Sequence, residues 1–112
     1  HAEGIGIELD FRQSNSEGEL IDWIQEARQK ADGLIVNGAG LTYTSIATLD
    51  ALLAFEKPII EVHMSNIYKR EPFRHHSFIS KAATGIVAGL GPLGYELAIT
   101  AIAQVLERDK KA

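Results

Sequence analysis

The chain has 112 residues, of which 46% are hydrophobic, and it contains no cysteine. A chain of this length forms one compact domain, and the lack of cysteine excludes a disulfide framework and a thiolate metal site. The net charge is −4 and the basic residues are scattered, which argues against a nucleic-acid partner. No apolar run approaches the roughly 18 residues of a membrane span, so we expect a cytoplasmic protein without a membrane partner.

Strand and helix patterns alternate along the chain. The first predicted strand covers residues 5–11, where hydrophobic residues alternate with small or polar ones. The predicted helix that follows extends to about residue 31, with an apolar stripe at helical spacing. Three polar residues can cap its start: Ser14, Asn15 and Ser16.

Three further strands are predicted at residues 34–36, 58–62 and 84–88, with a helix after the first and another after the last. Thr44 or Ser45 begins the former helix, and Pro92 lies at the start of the latter. Strands joined by helical crossovers must be parallel. The sequence therefore predicts a doubly wound α/β sheet with helices on both faces.

The strand at residues 58–62 leads into titratable side chains. Glu61 and His63 lie on one face, because side chains alternate along a strand, and they can hydrogen-bond. A carboxylate beside an imidazole favours the charged, proton-donating form. Open α/β sheets bind ligands at the carboxyl ends of their strands. His63 is thus a candidate acid, although a structural histidine explains the same pattern.

The loop after this strand concentrates positive charge in an acidic chain, at Arg70, Arg74, His75 and His76. Such a cluster attracts a small anion, and the guanidinium fork matches a carboxylate. The residues therefore predict a general acid beside a clamp for a carboxylate substrate. A metal site is disfavoured, because adjacent histidines such as His75 and His76 generally point in different directions.

Four segments resemble, in order and spacing, the type II 3-dehydroquinate dehydratases. They are FRQSNSEGELIDWI (residues 11–24), NGAGLTYTS (37–45), EVHMSN (61–66) and REPFRHHS (70–77). The resemblance implies a flavodoxin-like sheet of strand order 2-1-3-4-5. It also implies a hydro-lyase of the shikimate or quinate pathway that converts 3-dehydroquinate to 3-dehydroshikimate through an enolate, without a cofactor or a metal.

The resemblance also implies roles for individual residues. His63 is the general acid, Glu61 orients it, and Arg70 stands near the base. The substrate-binding residues are Asn37, Tyr43, Asp50, Met64, Ser65 and Arg74. Asp50 reaches toward a neighbouring subunit in a homo-oligomer, a dodecamer built from trimers. Without the resemblance, Asn37 could cap a turn and Asp50 could be a solvated surface carboxylate; Tyr43 departs from the family, which usually has His there.

Family members begin with an additional strand and a mobile lid that carries an Arg and the tyrosine base. We therefore expect residues 1–112 to be a single, N-terminally incomplete domain that lacks the central strand of its sheet. The strands at residues 5–11 and 34–36 should then flank a slot filled by a separate peptide or chain, or pair directly with each other. A non-catalytic anion-binding or assembly module of the same fold, without the lid chemistry, is the alternative.

A glycine motif, Gly89-Leu90-Gly91-Pro92-Leu93-Gly94, matches the dinucleotide-binding pattern G-x-G-x-x-G and follows a predicted strand. That pattern requires a second strand after the helix, with an acidic residue about 20 positions further on. The residues after Gly94 do not supply this arrangement. We interpret the glycines as a tight strand-to-helix turn.

Overall fold

The computed structural model describes residue 4, residues 6–14 and residues 16–111. In this part of the chain three parallel strands form one sheet in the order β1-β2-β3: β1 is Leu34–Val36, β2 is Ile59–His63 and β3 is Gly85–Ala88. The α-helices are α1 (Glu17–Lys30), α2 (Ile46–Phe55) and α3 (Leu93–Lys111). None of these helices is long and apolar enough to cross a bilayer.

Helix boundaries follow from side-chain caps. Ser16 begins α1, because its Oγ accepts a hydrogen bond from the Glu19 amide at 3.3 Å. Ser45 begins α2 in the same way, with the Thr48 amide at 2.9 Å. Both residues were among the predicted caps, whereas Asn15 lies outside the described residues. At the other end of α1, the Lys57 ammonium donates to the Ala31 carbonyl at 2.7 Å.

The two faces of the sheet are covered by different helices, as the sequence predicts. On one face Ile59 packs in a cluster with residues of α1 and α2, among them Ile24 and Leu52. On the other face Ile60 and Val62 pack against α3. Because side chains alternate along a strand, Glu61 and His63 share the face of Ile59.

The predicted strand at residues 5–11 is wrong for its described part: residues 7–11 form no strand, and Ile5 lies outside the described residues. A strand requires a hydrogen-bonded neighbour, and none of the described residues pairs with this segment. Its hydrophobic residues also pack poorly, since Leu9 and Phe11 are 53% and 66% exposed. The next residue, Arg12, instead links the segment to α1 through a salt bridge of 2.9 Å between its guanidinium and the Glu26 carboxylate.

Direct pairing of residues 5–11 with residues 34–36, one of the two expected arrangements, is likewise wrong within the described residues. β1 pairs with β2 along one edge, and its other edge has no strand of the described chain beside it. The observed order β1-β2-β3 matches the last three positions of the expected order 2-1-3-4-5. Position 1 stays a prediction, whereas position 2 was expected to be the strand at residues 5–11, of which residues 7–11 form no strand.

Candidate functional site

Glu61 and His63 form a buried pair at the carboxyl end of β2. Their side chains are 0% and 5% exposed, and His63 Nε2 makes a short hydrogen bond with Glu61 Oε2. The Ser77 hydroxyl donates to Oε2 at 2.7 Å, and the Ser80 hydroxyl makes a short hydrogen bond to Oε1. Both oxygens of the carboxylate therefore accept hydrogen bonds. The predicted hydrogen bond between Glu61 and His63 is confirmed.

The ionisation of Glu61 is decided by two opposing effects. Burial raises the pKa of the carboxyl, but hydrogen bonds from His63, Ser80 and Ser77 together outweigh it and hold the pKa of Glu61 below its usual value. Glu61 is thus an anion at neutral pH and can only accept hydrogen bonds. The proton between the two side chains belongs to His63 Nε2, so Nδ1 is the ring nitrogen left for exchange with a ligand.

An aromatic and cationic wall, formed by Tyr43, Phe73 and Arg74, adjoins His63. The Tyr43 ring stacks on the imidazole, with centroids 6.3 Å apart and planes inclined by 23°. Phe73 meets Tyr43 edge-on at 5.8 Å, and the Arg74 guanidinium lies 5.3 Å from the centre of the Tyr43 ring. Three of the predicted site residues, Tyr43, His63 and Arg74, therefore lie together.

Asn37 follows β1 and has both ends of its amide engaged. Its Nδ2 donates to the Tyr95 hydroxyl on α3 at 2.9 Å, and its Oδ1 accepts from the Ala39 amide at 3.1 Å. The side chain therefore does cap a turn, which is one of the two interpretations that the sequence left open. Its exposed position leaves the second Nδ2 hydrogen available to a ligand.

The residues just after β2 are tied to the glycine turn. The Met64 carbonyl accepts from the Gly91 amide at 2.9 Å, and the His63 carbonyl accepts from the Gly89 amide at 3.1 Å. Gly89 has φ +88°, a conformation that favours glycine. The motif forms the tight strand-to-helix turn that the sequence predicts, and it leaves Met64 and Ser65 exposed beside the buried pair.

Two predicted site residues make no hydrogen bond or ion pair with Glu61 or His63 in the described part of the chain. The Arg70 side chain is 44% exposed, with Nε 3.8 Å from Glu71 Oε2. Asp50 lies on α2 and lines a groove between α1 and α2, together with Arg28. The roles given to Arg70 and Asp50 stay predictions.

The two other histidines of the loop, His75 and His76, have different surroundings. The His75 ring packs against Tyr68, with centroids 5.5 Å apart, and His76 is exposed. Over the described ranges, no three His, Cys, Asp or Glu side chains come close enough together to hold a metal ion.

Gly38 allows the turn after β1 to pack against the turn that carries Ser77 and Ser80. The Phe78 amide donates to the Thr42 carbonyl at 2.8 Å, and a Cβ on Gly38 would overlap the buried Ile79 side chain and lie 2.8 Å from Thr42 Oγ1. We expect Gly38→Ala to lower the free energy of unfolding by about 1 to 3 kcal/mol, the usual cost of overpacking.

Chemical denaturation of Gly38→Ala beside Gly18→Ala checks this prediction. Gly18 lies in the first turn of α1, where an added Cβ would have only Ser16 Oγ nearby, at 3.9 Å. Alanine should be neutral or stabilising there, because it is the better helix former. Equal effects of the two substitutions would contradict the packing argument.

Sequence reasoning missed Ser77, Ser80 and Tyr95 as site residues. The two serines lie three positions apart, a spacing typical of a local side-chain cap, and the Ser80 amide does donate to Ser77 Oγ at 3.1 Å. Their contact with Glu61 joins positions 16 and 19 residues apart. It is a tertiary contact without a local sequence signal, as is the contact of Tyr95 with Asn37.

Fold and site together define a parallel α/β protein with a histidine–carboxylate pair and an arginine at the carboxyl ends of its strands. The family model described as Dehydroquinase class II matches residues 1–103, so the chain belongs to the class II dehydroquinase family.

Individual relatives agree with the family match. The chain is 52% identical to 3-dehydroquinate dehydratase 2 of Pseudomonas putida, over 95% of this chain and 71% of the relative. It is 56% identical to 3-dehydroquinate dehydratase 2 of Agrobacterium fabrum, over 96% of this chain and 73% of the relative. The crystal structure of the type II dehydroquinase from Propionibacterium acnes superposes with a TM-score of 0.87 at 42% identity, covering 92% of this chain and 76% of the other.

Proposed function

We infer that the chain is a 3-dehydroquinate dehydratase, a lyase that eliminates water from 3-dehydroquinate to give 3-dehydroshikimate. Membership of the class II family and relatives of this name at more than half identity support the activity. The structural observation that carries it is the buried Glu61–His63 pair at the end of β2. Elimination of water needs a proton donor for the leaving hydroxyl, and this pair is built to donate one.

We propose that His63 supplies that proton. A base removes a proton next to the ketone, and the resulting enolate expels the β-hydroxyl, which leaves as water after it takes the proton from His63 Nδ1. The neighbouring Glu61 anion stabilises the imidazolium before transfer and holds Nε2 in one orientation. No cofactor takes part in this sequence of bond changes, because the elimination involves neither oxidation nor group transfer to a carrier.

Substrate binding uses the residues around the pair. Arg74 binds the substrate carboxylate, with Tyr43 and the main chain of Met64 and Ser65 beside it. Asn37 binds the ring hydroxyls through its free Nδ2 hydrogen. Support comes from the wall of Tyr43, Phe73 and Arg74 against His63, which places an aromatic face and a cation next to the acid.

The remaining assignments are proposals that rest on the family. Arg70 stands near the base, and Asp50 contacts a neighbouring subunit in a homo-oligomer, a dodecamer built from trimers. Its position in an exposed groove between α1 and α2 suits such a contact. A soluble cytoplasmic location fits an enzyme of a small polar metabolite.

The free edge of β1 supports one further element of the proposed fold. We propose that an additional strand pairs with this edge, which has no strand beside it in the described part of the chain, and takes position 1 of the 2-1-3-4-5 order, because the amides and carbonyls of a buried strand need partners. Val36 is buried at this edge strand. In the family, the strand in that position leads into the lid that carries the tyrosine base, and we assign the base to that lid.

The activity is tested by incubating a protein that carries the proposed lid together with residues 1–112 with 3-dehydroquinate and following the ultraviolet absorbance of the conjugated product. We expect turnover that is unchanged by a chelator and unaffected by borohydride added with substrate, because neither a metal nor an imine takes part. Loss of activity with borohydride and substrate would indicate a lysine imine, and loss with the chelator a metal enzyme. A folded protein without turnover would favour the non-catalytic binding module instead.

Replacing Arg74 tests the carboxylate clamp. We expect Arg74→Ala to raise KM by about 10- to 100-fold, the equivalent of one charge-assisted hydrogen bond, with a much smaller change in kcat. Steady-state kinetics beside Arg108→Ala measures the difference. Arg108 is an exposed arginine of α3 whose Nε lies 3.5 Å from its neighbour Asp109, and its removal should leave both KM and kcat unchanged. A fall in kcat at unchanged KM would remove Arg74 from substrate binding.

A further inference from the structure

The Glu61 carboxylate is held by a turn that has no part in the reaction as described so far. Ser77 Oγ donates to Oε2 at 2.7 Å and Ser80 Oγ donates to Oε1, so each oxygen receives one hydroxyl. The Ser80 amide donates to Ser77 Oγ at 3.1 Å. Since that bond fills an acceptor site of Ser77, its hydroxyl proton is directed at Glu61.

We propose that Ser77 and Ser80 are positioning residues of the acid: they hold Glu61 as an anion in one orientation, so that the shared proton stays on His63. The inference rests on the proposed role of His63 as general acid. Neither serine touches the substrate in this proposal, and both act through Glu61.

The physical argument concerns where one proton resides. A carboxylate with 0% exposure is penalised as an ion, so with fewer donors it would take the proton that it shares with the imidazole. His63 would then be neutral, without the charge that makes it an acid. Among the described residues three donors reach Glu61, and two of them are the serine hydroxyls. Removing either hydroxyl removes a large share of what keeps the charge on Glu61.

Other groups near Glu61 and His63 do not donate a hydrogen bond to the Glu61 carboxylate within the described residues. The strand positions paired with Glu61 are apolar, Val36 on β1 and Ile86 on β3. The buried hydroxyls of α2 and its cap, Thr48 and Ser45, bond to each other at 2.7 Å. Ionisable side chains on the surrounding elements form no bond with Glu61 within the described residues: Tyr43, Asp50, Arg74, His75, Lys81 and Tyr95.

The test is the pH dependence of kcat in Ser77→Ala and in Ser80→Ala. We expect the acidic limb of the profile to move up by about one pH unit, the equivalent of one hydrogen bond to a charged group, so that kcat falls about tenfold at a pH on that limb. KM should change by no more than roughly twofold, because the binding residues are untouched. Ser80→Thr keeps a hydroxyl and should restore the acidic limb.

Thr84→Ala is the matched control for a lost hydroxyl against β2. Thr84 Oγ1 accepts from the Ile59 amide at 3.1 Å, at the opposite end of the strand from His63. This variant should lose stability and leave the acidic limb in place. An unmoved limb in both serine variants, the same movement in Thr84→Ala, or failure of Ser80→Thr to restore the limb would overturn the proposal.

A nuclear magnetic resonance titration of the Glu61 carboxyl without substrate separates this inference from the proposed function. We expect the Glu61 titration to move to higher pH in Ser80→Ala, whatever reaction the protein catalyses. If His63→Ala stays active but the Glu61 titration moves in Ser80→Ala, the assignment of His63 as the acid fails and the positioning role of the serines stands. If the Glu61 titration does not move, the positioning role of the serines fails on its own.

Discussion

Replacing His63 with Ala is expected to lower kcat by about 10² to 10⁴, the contribution of a positioned general acid. The imidazole is buried at the end of β2, with Nε2 bonded to Glu61 and Nδ1 left for the leaving group. Substrate analogues should still bind, because Arg74 and Tyr43 stay in place. Rapid kinetics with 3-dehydroquinate gives the rate, and calorimetry with an unreactive analogue gives the affinity.

His76→Ala is the control for this experiment. His76 is an exposed histidine of the loop, and its removal should leave kcat within about threefold of the original, as expected for a surface substitution. Near-normal turnover in His63→Ala would end the acid assignment. Loss of analogue binding together with turnover would instead make His63 a binding residue.

Replacing Glu61 with Gln is expected to lower the free energy of unfolding at neutral pH by about 3 kcal/mol, the scale for removing one member of a buried pair. The pKa of Glu61 is lowered in the folded state, since the hydrogen bonds outweigh burial. Its stabilising effect is therefore complete above the unfolded value of about 4.3 and is lost as the pH falls through the folded value. The gap between Glu61→Gln and the unmodified protein should narrow in that acidic range.

Urea denaturation at a series of pH values measures the gap. Glu107→Gln replaces an exposed carboxylate on α3 and serves as the reference for a change without burial. Its effect should stay within about 0.5 kcal/mol at every pH, as for most surface substitutions. A gap for Glu61→Gln that widens on acidification would mean that Glu61 is protonated in the folded protein at neutral pH.

Short-range patterns predicted much of the site. Period-two alternation alone places Glu61 beside His63, and the structure confirms their hydrogen bond. Ser16 and Ser45 were among the predicted helix caps, since capping depends on residues three positions apart. The loop that follows β2 carries Arg74 back to the turn after β1, where Tyr43 lies, as the meeting of strand ends at one edge of a sheet requires.

The wrong strand prediction and the missed serines have one physical origin: in both cases the structure depends on a partner that is distant in sequence. Residues 7–11 have the alternation of a strand, but alternation forms no ladder without a neighbour, and the described segment contacts α1 through Arg12 instead. Ser77 and Ser80 likewise receive their role from Glu61. A serine pair in a loop signals a cap and says nothing about which buried carboxylate it faces.

The buried carboxylate of Glu61 creates a trade-off between thermal stability and catalytic activity. Desolvating an ion is costly, and a well-packed apolar replacement for a buried ionic group is often neutral or stabilising. Substituting Glu61, Ser77 and Ser80 together by hydrophobic residues of similar volume would thus yield a domain that is more stable to heat but no longer converts its substrate. Selection for thermal tolerance alone would then tend to erase the reaction centre, and directed evolution of this enzyme needs an activity screen at every round.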